Sequence, residues 1–354
     1  MKRFAVLLTV MCLLFCGCGL MDGEYLSVTP HELASTSGQS ISQSASNYQQ
    51  LQAVLEAMVS AGAESTVISV AKFDQNLLDT SVKAAANYIQ KGHPLGSWAV
   101  EKVEYELGTG GGQPVVSVHI SYIHGRSQIR QIQKVRNMEG AESIIKEALK
   151  DCADGVVIQV DEYKKTDILQ LIEDYAGENP NTMMETPAVS VGVYPDERAG
   201  QRVMELKFTY QTNRDSLRLM QNQVQRVFSS AELYINSDGT DSQKYSQLYT
   251  FLMERYDYTI ETSITPSYSL LVHGVGDSEA FATVYRAMCR QAGLECQVIS
   301  GTKNGEPWYW NLILVEEQWL HVDLLEASAQ GEFLGYEGDL MQGYVWDYSA
   351  YGES

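Results

Sequence analysis

"GDSEAFATVYRAMCRQAGLECQVISG" (residues 276–301) reads as a tight glycine turn, a helix, a glycine stop and a strand. Phe281, Val284, Tyr285 and Met288 recur at three- and four-residue spacing, which gives the helix one apolar face. At its head stands Ser278. A serine there has two physical uses. Its oxygen can cap the helix by accepting a bond from a free N–H of the first turn, or it can act as a nucleophile if a base lies within reach. The cap is the expected role, and the rest of the chain bears on the choice.

On either side of this stretch, "SQKYSQLYTFLMERYDY" (242–258) is an amphipathic helix that ends in an aromatic cluster with Tyr256 and Tyr258. "LECQVISG" (294–301) and "PWYWNLILV" (307–315) read as a pair of strands, and "EQWLHVDLLEA" (317–327) as a third carrying a histidine and an aspartate. These four motifs, in this order, resemble the bacterial transglutaminase-like domain of the papain-like superfamily. In that family a helix ending in Tyr-Asp leads to a glycine, a cysteine that opens a helix, a strand with His-Ala-Trp-Asn and a strand with His-Val-Asp. The tail "FLGYEGDLMQGYVWDYSAYGES" (333–354) is similar to the family's closing segment. The resemblance covers the last third of the chain.

The resemblance implies a thiolate nucleophile, activated by the positive helix end and by a histidine that an acid orients. Carried over residue by residue, the cysteine falls on Ser278, the histidine on Trp308 and the acid on Asp323. Only the acid is retained. A hydroxyl titrates far above neutrality, and an indole donates a hydrogen bond but accepts no proton. Ser278 therefore has no base in the family's position, and the domain is expected to be a pseudoenzyme. His321, two residues before Asp323 on the same strand face, and His273, five residues before Ser278, are the candidates for a relocated base in a serine-dependent hydrolase or acyl transferase. Trp308, Tyr309 and Trp310 are the candidate binding residues, with Trp308 either filling the cleft or offering a stacking platform. Trp310 and Trp319 match family positions that read as packing.

The chain opens with MKRFAVLLTVMCLLFCGCG, two basic residues and then an apolar run from Phe4 to Phe15. The run is too short for a folded span and reads as an export signal over residues 1–17. Gly17-Cys18 resembles a bacterial lipobox, although Phe15 departs from the leucine usual three residues before the cysteine. Lipidation is expected at Cys18, with a plain secretory signal as the alternative. Acyl chains there would hold the protein on a membrane, extracytoplasmic. Residues 18–48 are rich in Ser, Gln and Ala toward their end and read as a tether.

The 354 residues carry a formal charge of -20, and removal of residues 1–17, with Lys2 and Arg3 and no acid, lowers it to -22. A surface so acidic repels phosphate backbones, so nucleic acid is excluded as a partner. Cys152, Cys289 and Cys296 have neither metal-site nor redox spacing, and the last two read as small core residues. His119 and His124 lack a third ligand nearby, so no metal or other cofactor is expected.

Between tether and C-terminal region the chain repeats itself. "LQAVLEAMVSAGAESTVISVAKF" (51–73) aligns without a gap with "AESIIKEALKDCADGVVIQVDEY" (141–163), and "VVSVHISYIHGRSQI" (115–129) with "VMELKFTYQTNRDSL" (203–217). Tyr122/Tyr210 and Arg126/Arg214 are identical in the second pair. Each copy reads as helix, strand, helix and two strands, with a further helix closing the strand pair. "GTGGGQP" (108–114) lacks the lysine and the strand-to-helix context of a phosphate loop and reads as a hairpin turn.

The expected architecture is α+β: two α-β-α-β-β units at 49–138 and 139–236, then a transglutaminase-like domain at 240–354. The expected partners are the membrane through Cys18 and an envelope protein, peptide or wall component.

Overall fold

The computed structural model describes residues 43–196, 198–260, 263–330, 333, 335 and 341–351. Residues 1–17, expected as the export signal, Cys18 and most of the stretch expected as tether lie outside the described residues, as do parts of the tail. The first unit runs β1 (Gln43–Ser44), α1 (Tyr48–Ala61), β2 (Ser65–Ser69), α2 (Leu78–Lys91), α3 (Pro94–Ala99), β3 (Val100–Gly110), β4 (Gln113–Tyr122) and α4 (Arg126–Gln131). The second follows as β5 (Gln133–Asn137), α5 (Met138–Lys150), β6 (Gly155–Tyr163), α6 (Ile168–Glu178), β7 (Ala188–Tyr194), β8 (Gly200–Thr209) and α7 (Arg214–Tyr234). The remainder is α8 (Asp241–Met253), β9 (Asp257–Tyr258), α9 (Pro266–Tyr268) with a π turn at Ser269–His273, β10 (Val275–Gly276), α10 (Ser278–Gln291), β11 (Cys296–Lys303), β12 (Glu306–Val315), β13 (Gln318–Val322), α11 (Leu324–Gln330) and β14 (Tyr344–Trp346). The chain is α+β, as expected.

The two units build sheets of the same order, β1-β2-β4-β3 and β5-β6-β8-β7. In both, the leading strand is parallel to its neighbour and the rest are antiparallel. A parallel pair needs a crossover, which α1 and α5 supply. Each unit thus has one strand more than the α-β-α-β-β pattern read from the sequence. Gln43–Ser44 falls in the stretch expected to be tether, and Gln133–Asn137 falls within 49–138 yet is bonded into the second sheet. These strands escape a periodicity argument because one is two residues long and the other, QKVRN, has a single apolar residue.

The hairpin at "GTGGGQP" pairs Gly110 with Gln113, and its two central residues, Gly111 and Gly112, sit at φ +58° and +79°. Two successive left-handed residues make the turn whose twist matches paired strands. No phosphate cradle forms.

Four cores hold the described residues together. Leu51, Leu55, Val82 and Ile89 of α1 and α2 close over Ile68, Val116 and Ile120, and Val203 of the second sheet joins that cluster. In the second unit Ile145, Leu149 and Ile172 close over Ile158, Val160 and Leu206. The third core unites Leu217, Val224 and Phe228 of α7 with Leu248 and Leu252 of α8 and with Phe281, Val284 and Tyr285 of α10, so the second unit and the C-terminal region share one interior. The fourth, with Ile299, Trp310, Leu312 and Trp346, lies under the other face of the last sheet, β13-β12-β11-β14.

Candidate functional site

Ser278 is not the helix cap. Asp277 has the extended backbone of an N-cap (φ -87°, ψ -179°), and its side chain accepts the bond from Ala280 N at 2.9 Å. The carboxylate, a better partner for the helix dipole, takes the position, and Ser278 becomes the first residue of the helix. Its hydroxyl instead accepts a bond from the Tyr309 backbone N–H of β12 at 3.3 Å, and the residue is 7 % exposed.

Along β12 alternate side chains point to opposite faces. Asn311 faces α10 and donates to the Ala282 carbonyl at 2.9 Å. Trp310 and Leu312 face the small core on the other side, with Trp308 against it. Trp308 lies in a cluster at the strand end. Its Nε1–H donates to Asp323 Oδ2 at 2.8 Å, and its ring meets Tyr258 at 5.6 Å. Ser278, Trp308 and Asp323, scattered over 46 positions of sequence, are thus brought onto one short path from α10 across β12 to the end of β13.

Asp323 is 1 % exposed and fully engaged. Besides Trp308, Oδ2 accepts from Tyr344 OH at 2.7 Å and from Lys303 Nζ at 3.0 Å. Oδ1 accepts from the backbone N–H groups of Leu325 and Glu326 at 3.0 and 3.4 Å, which caps α11. Lys303 also bonds Glu326 Oε2 at 2.8 Å and sits over the rings of Trp308 and Tyr344, at 5.0 and 5.2 Å from their centroids. A buried carboxylate needs such company, because charge-assisted bonds offset its lost hydration. Burial works against the ammonium of Lys303, but its bonds to Glu326 and Tyr344 and the nearby Asp323 carboxylate hold it well above the usual lysine range. Lys303 is therefore a fixed cation and no proton acceptor at neutral pH. Burial, then the Asp323 charge, push the Tyr344 phenol up likewise.

Neither histidine reaches Ser278. His321 is fully buried and its Nδ1 accepts from Trp310 Nε1 at 2.9 Å. His273 is exposed, its ring edge-on to Tyr268 at 5.1 Å. Among the described residues the Ser278 hydroxyl has no imidazole partner.

Of the three expected binding residues, Trp308 and Tyr309 are half-buried, whereas Trp310 is 1 % exposed and locked by His321 and Trp346. Trp310 has no face left for a ligand. Trp319, read as packing, is 38 % exposed, because it lies on the edge strand β13 beyond the reach of either core. Cys289 and Cys296 are buried and free, as read. Lys303 and Tyr344 were not found from sequence. They approach Asp323 from positions 20 and 21 residues away, and nothing in a lone lysine at a hairpin or a tyrosine in the tail signals the meeting.

The first residue of α10 thus abuts an inner strand of the antiparallel sheet, and an acid stands at the end of the next strand. Residues 230–324 match the Transglutaminase-like superfamily, so the chain carries a transglutaminase-like domain; the match begins inside α7. No curated protein matches the chain. Among solved structures, one described as a TGase is 11% identical with a TM-score of 0.27 over 62% of this chain and 63% of its own. A candidate cysteine protease from Cytophaga hutchinsonii is 10% identical with a TM-score of 0.27, over 46% and 68% respectively. A candidate protease from Parabacteroides distasonis is 9% identical with a TM-score of 0.24, over 73% and 39%. The chain spans less than two thirds of the first and third of these.

Proposed function

We propose that this is an extracytoplasmic lipoprotein, anchored through Cys18, whose transglutaminase-like domain has lost acyl transfer and serves as a binding or scaffolding module at the cell envelope. One observation carries the reading: the bond from Trp308 Nε1 to Asp323 Oδ2 at 2.8 Å. The acid that would orient a catalytic base instead orients an indole, which takes up no proton. Lys303, held protonated beside it, supplies no base either. With no base, the Ser278 hydroxyl is an ordinary alcohol.

The test is covalent labelling. The purified protein is incubated with a serine-reactive fluorophosphonate, alongside Ser278→Ala. No label dependent on Ser278 is expected, and label that the substitution abolishes would overturn the reading in favour of a serine-dependent acyl transferase. Mass spectrometry of the membrane-extracted protein tests the anchor, with diacylglyceryl modification on Cys18 as the expected result.

A further inference from the structure

A cavity of about 240 Å³ lies in the seam between the second unit and the transglutaminase-like domain, and it does not include Ser278, Trp308 or Asp323. Its apolar floor is formed by Met183 and Met184 from the loop after α6, by Val284 of α10 and by Pro266. Glu173 of α6 and Glu279 of α10, one from each side of the seam, line it with carboxylates. Among the described residues no Lys, Arg or His lines it.

The two carboxylates are uncompensated. Neither Glu173 nor Glu279 has a hydrogen bond or ion pair among the described residues, whereas the third acid of the lining, Glu185, is held by the backbone N–H groups of Gln211 and Thr212. The arginines of α10 are turned to other work: Arg286 donates to the Gly177 carbonyl, and Arg290 faces Glu178 at 4.0 Å. Partial desolvation against the seam, then the neighbouring Asp277 charge, raise the Glu279 carboxyl above its usual range. The volume falls below that of drug-sized pockets, which begin near ~300 Å³, and suits a single long side chain.

The geometry points to a binding site for a basic side chain of a peptide or protein partner, its apolar stem laid over Met183, Met184 and Val284 and its ammonium or guanidinium between Glu173 and Glu279. The complementarity has two parts. The stem replaces water on the apolar floor, and the cation pairs with two charges that the protein leaves open. The acidity of the chain as a whole, -20, draws such a partner toward the surface. This site is independent of the fate of Ser278, so it stands or falls apart from the loss of acyl transfer.

The probes are N-acetyl-lysine amide and N-acetyl-arginine amide, with N-acetyl-norleucine amide as a neutral counterpart of the same stem length. Each is titrated against the intact chain by ligand-observed NMR. At least one basic probe is expected to bind about tenfold or more tightly than the neutral one, with affinity falling as salt is raised. Glu279→Gln and Glu173→Gln should each weaken that binding severalfold, and Thr283→Phe, which fills the cavity from its half-buried wall, should abolish it. Glu173 and Glu279 are exposed, so their amides keep the fold, which a thermal melt verifies. Equal binding of neutral and basic probes, no binding by any probe, or basic-probe binding that survives all three substitutions would overturn the site. A preference between the two basic probes identifies the head group.

Discussion

The indole of Trp308 and the carboxylate of Asp323 are hydrogen-bonded at 2.8 Å across the end of the β12–β13 pair. The bond joins a neutral donor to a buried anion that also receives a lysine and a tyrosine. It therefore ties the end of β12 to the buried acid that follows β13.

Trp308→Phe keeps the ring packed near Tyr258 but deletes the donor. A hydrogen bond to a charged acceptor contributes about 1.5–3 kcal/mol, and the loss of stability is expected in that range. Urea unfolding checks it. A change within error would mean that Lys303 and Tyr344 suffice to satisfy Asp323 Oδ2.

Lys303→Met breaks the ion pair with Asp323, whose carboxylate is 1 % exposed, and should cost about 3 kcal/mol, near the low end for a buried pair because Lys303 keeps some contact with water. The cost has a pH signature. The folded-state pKa of Lys303 is raised, so its stabilisation is complete below the unfolded value of about 10.4 and declines as pH rises above it. The gap in unfolding free energy between wild type and variant should be flat from pH 7 to about 10 and shrink beyond. A gap that widens with alkaline pH would contradict the assignment.

Asp277, and not Ser278, caps α10. Asp277→Ala should cost about 1 kcal/mol, while Asp277→Asn, an equally good cap, should be close to neutral. Equilibrium unfolding of the two variants separates this from a mere charge effect, in which alanine and asparagine would behave alike.

Gly301 lets β14 approach β11. A Cβ at that position would collide with the Val345 carbonyl oxygen and the ring of Trp310. Gly301→Ala should push β14 away, withdraw Tyr344 from Asp323 and destabilise by roughly 1–3 kcal/mol. Tryptophan fluorescence offers a second readout, since Trp310 and Trp346 are in edge contact at 5.5 Å.

The sequence by itself determined much of this protein. The apolar periodicity of α10, the paired strands after it and the alternation in the two units are local signals, since helices and strands expose their period in the order of residues. The identity of Ser278 and Trp308 is likewise legible in the sequence, and a hydroxyl and an indole keep their acid–base character wherever they lie. The tertiary structure alone decided the rest. That Asp277 rather than Ser278 caps the helix follows from where the extended backbone gives way to the helix, and the two leading strands exist only through partners that accept them. The meeting of Lys303 and Tyr344 on Asp323 and the acidic seam between Glu173 and Glu279 join residues from separate elements, and such contacts are fixed by how faces pack, which no window of sequence contains.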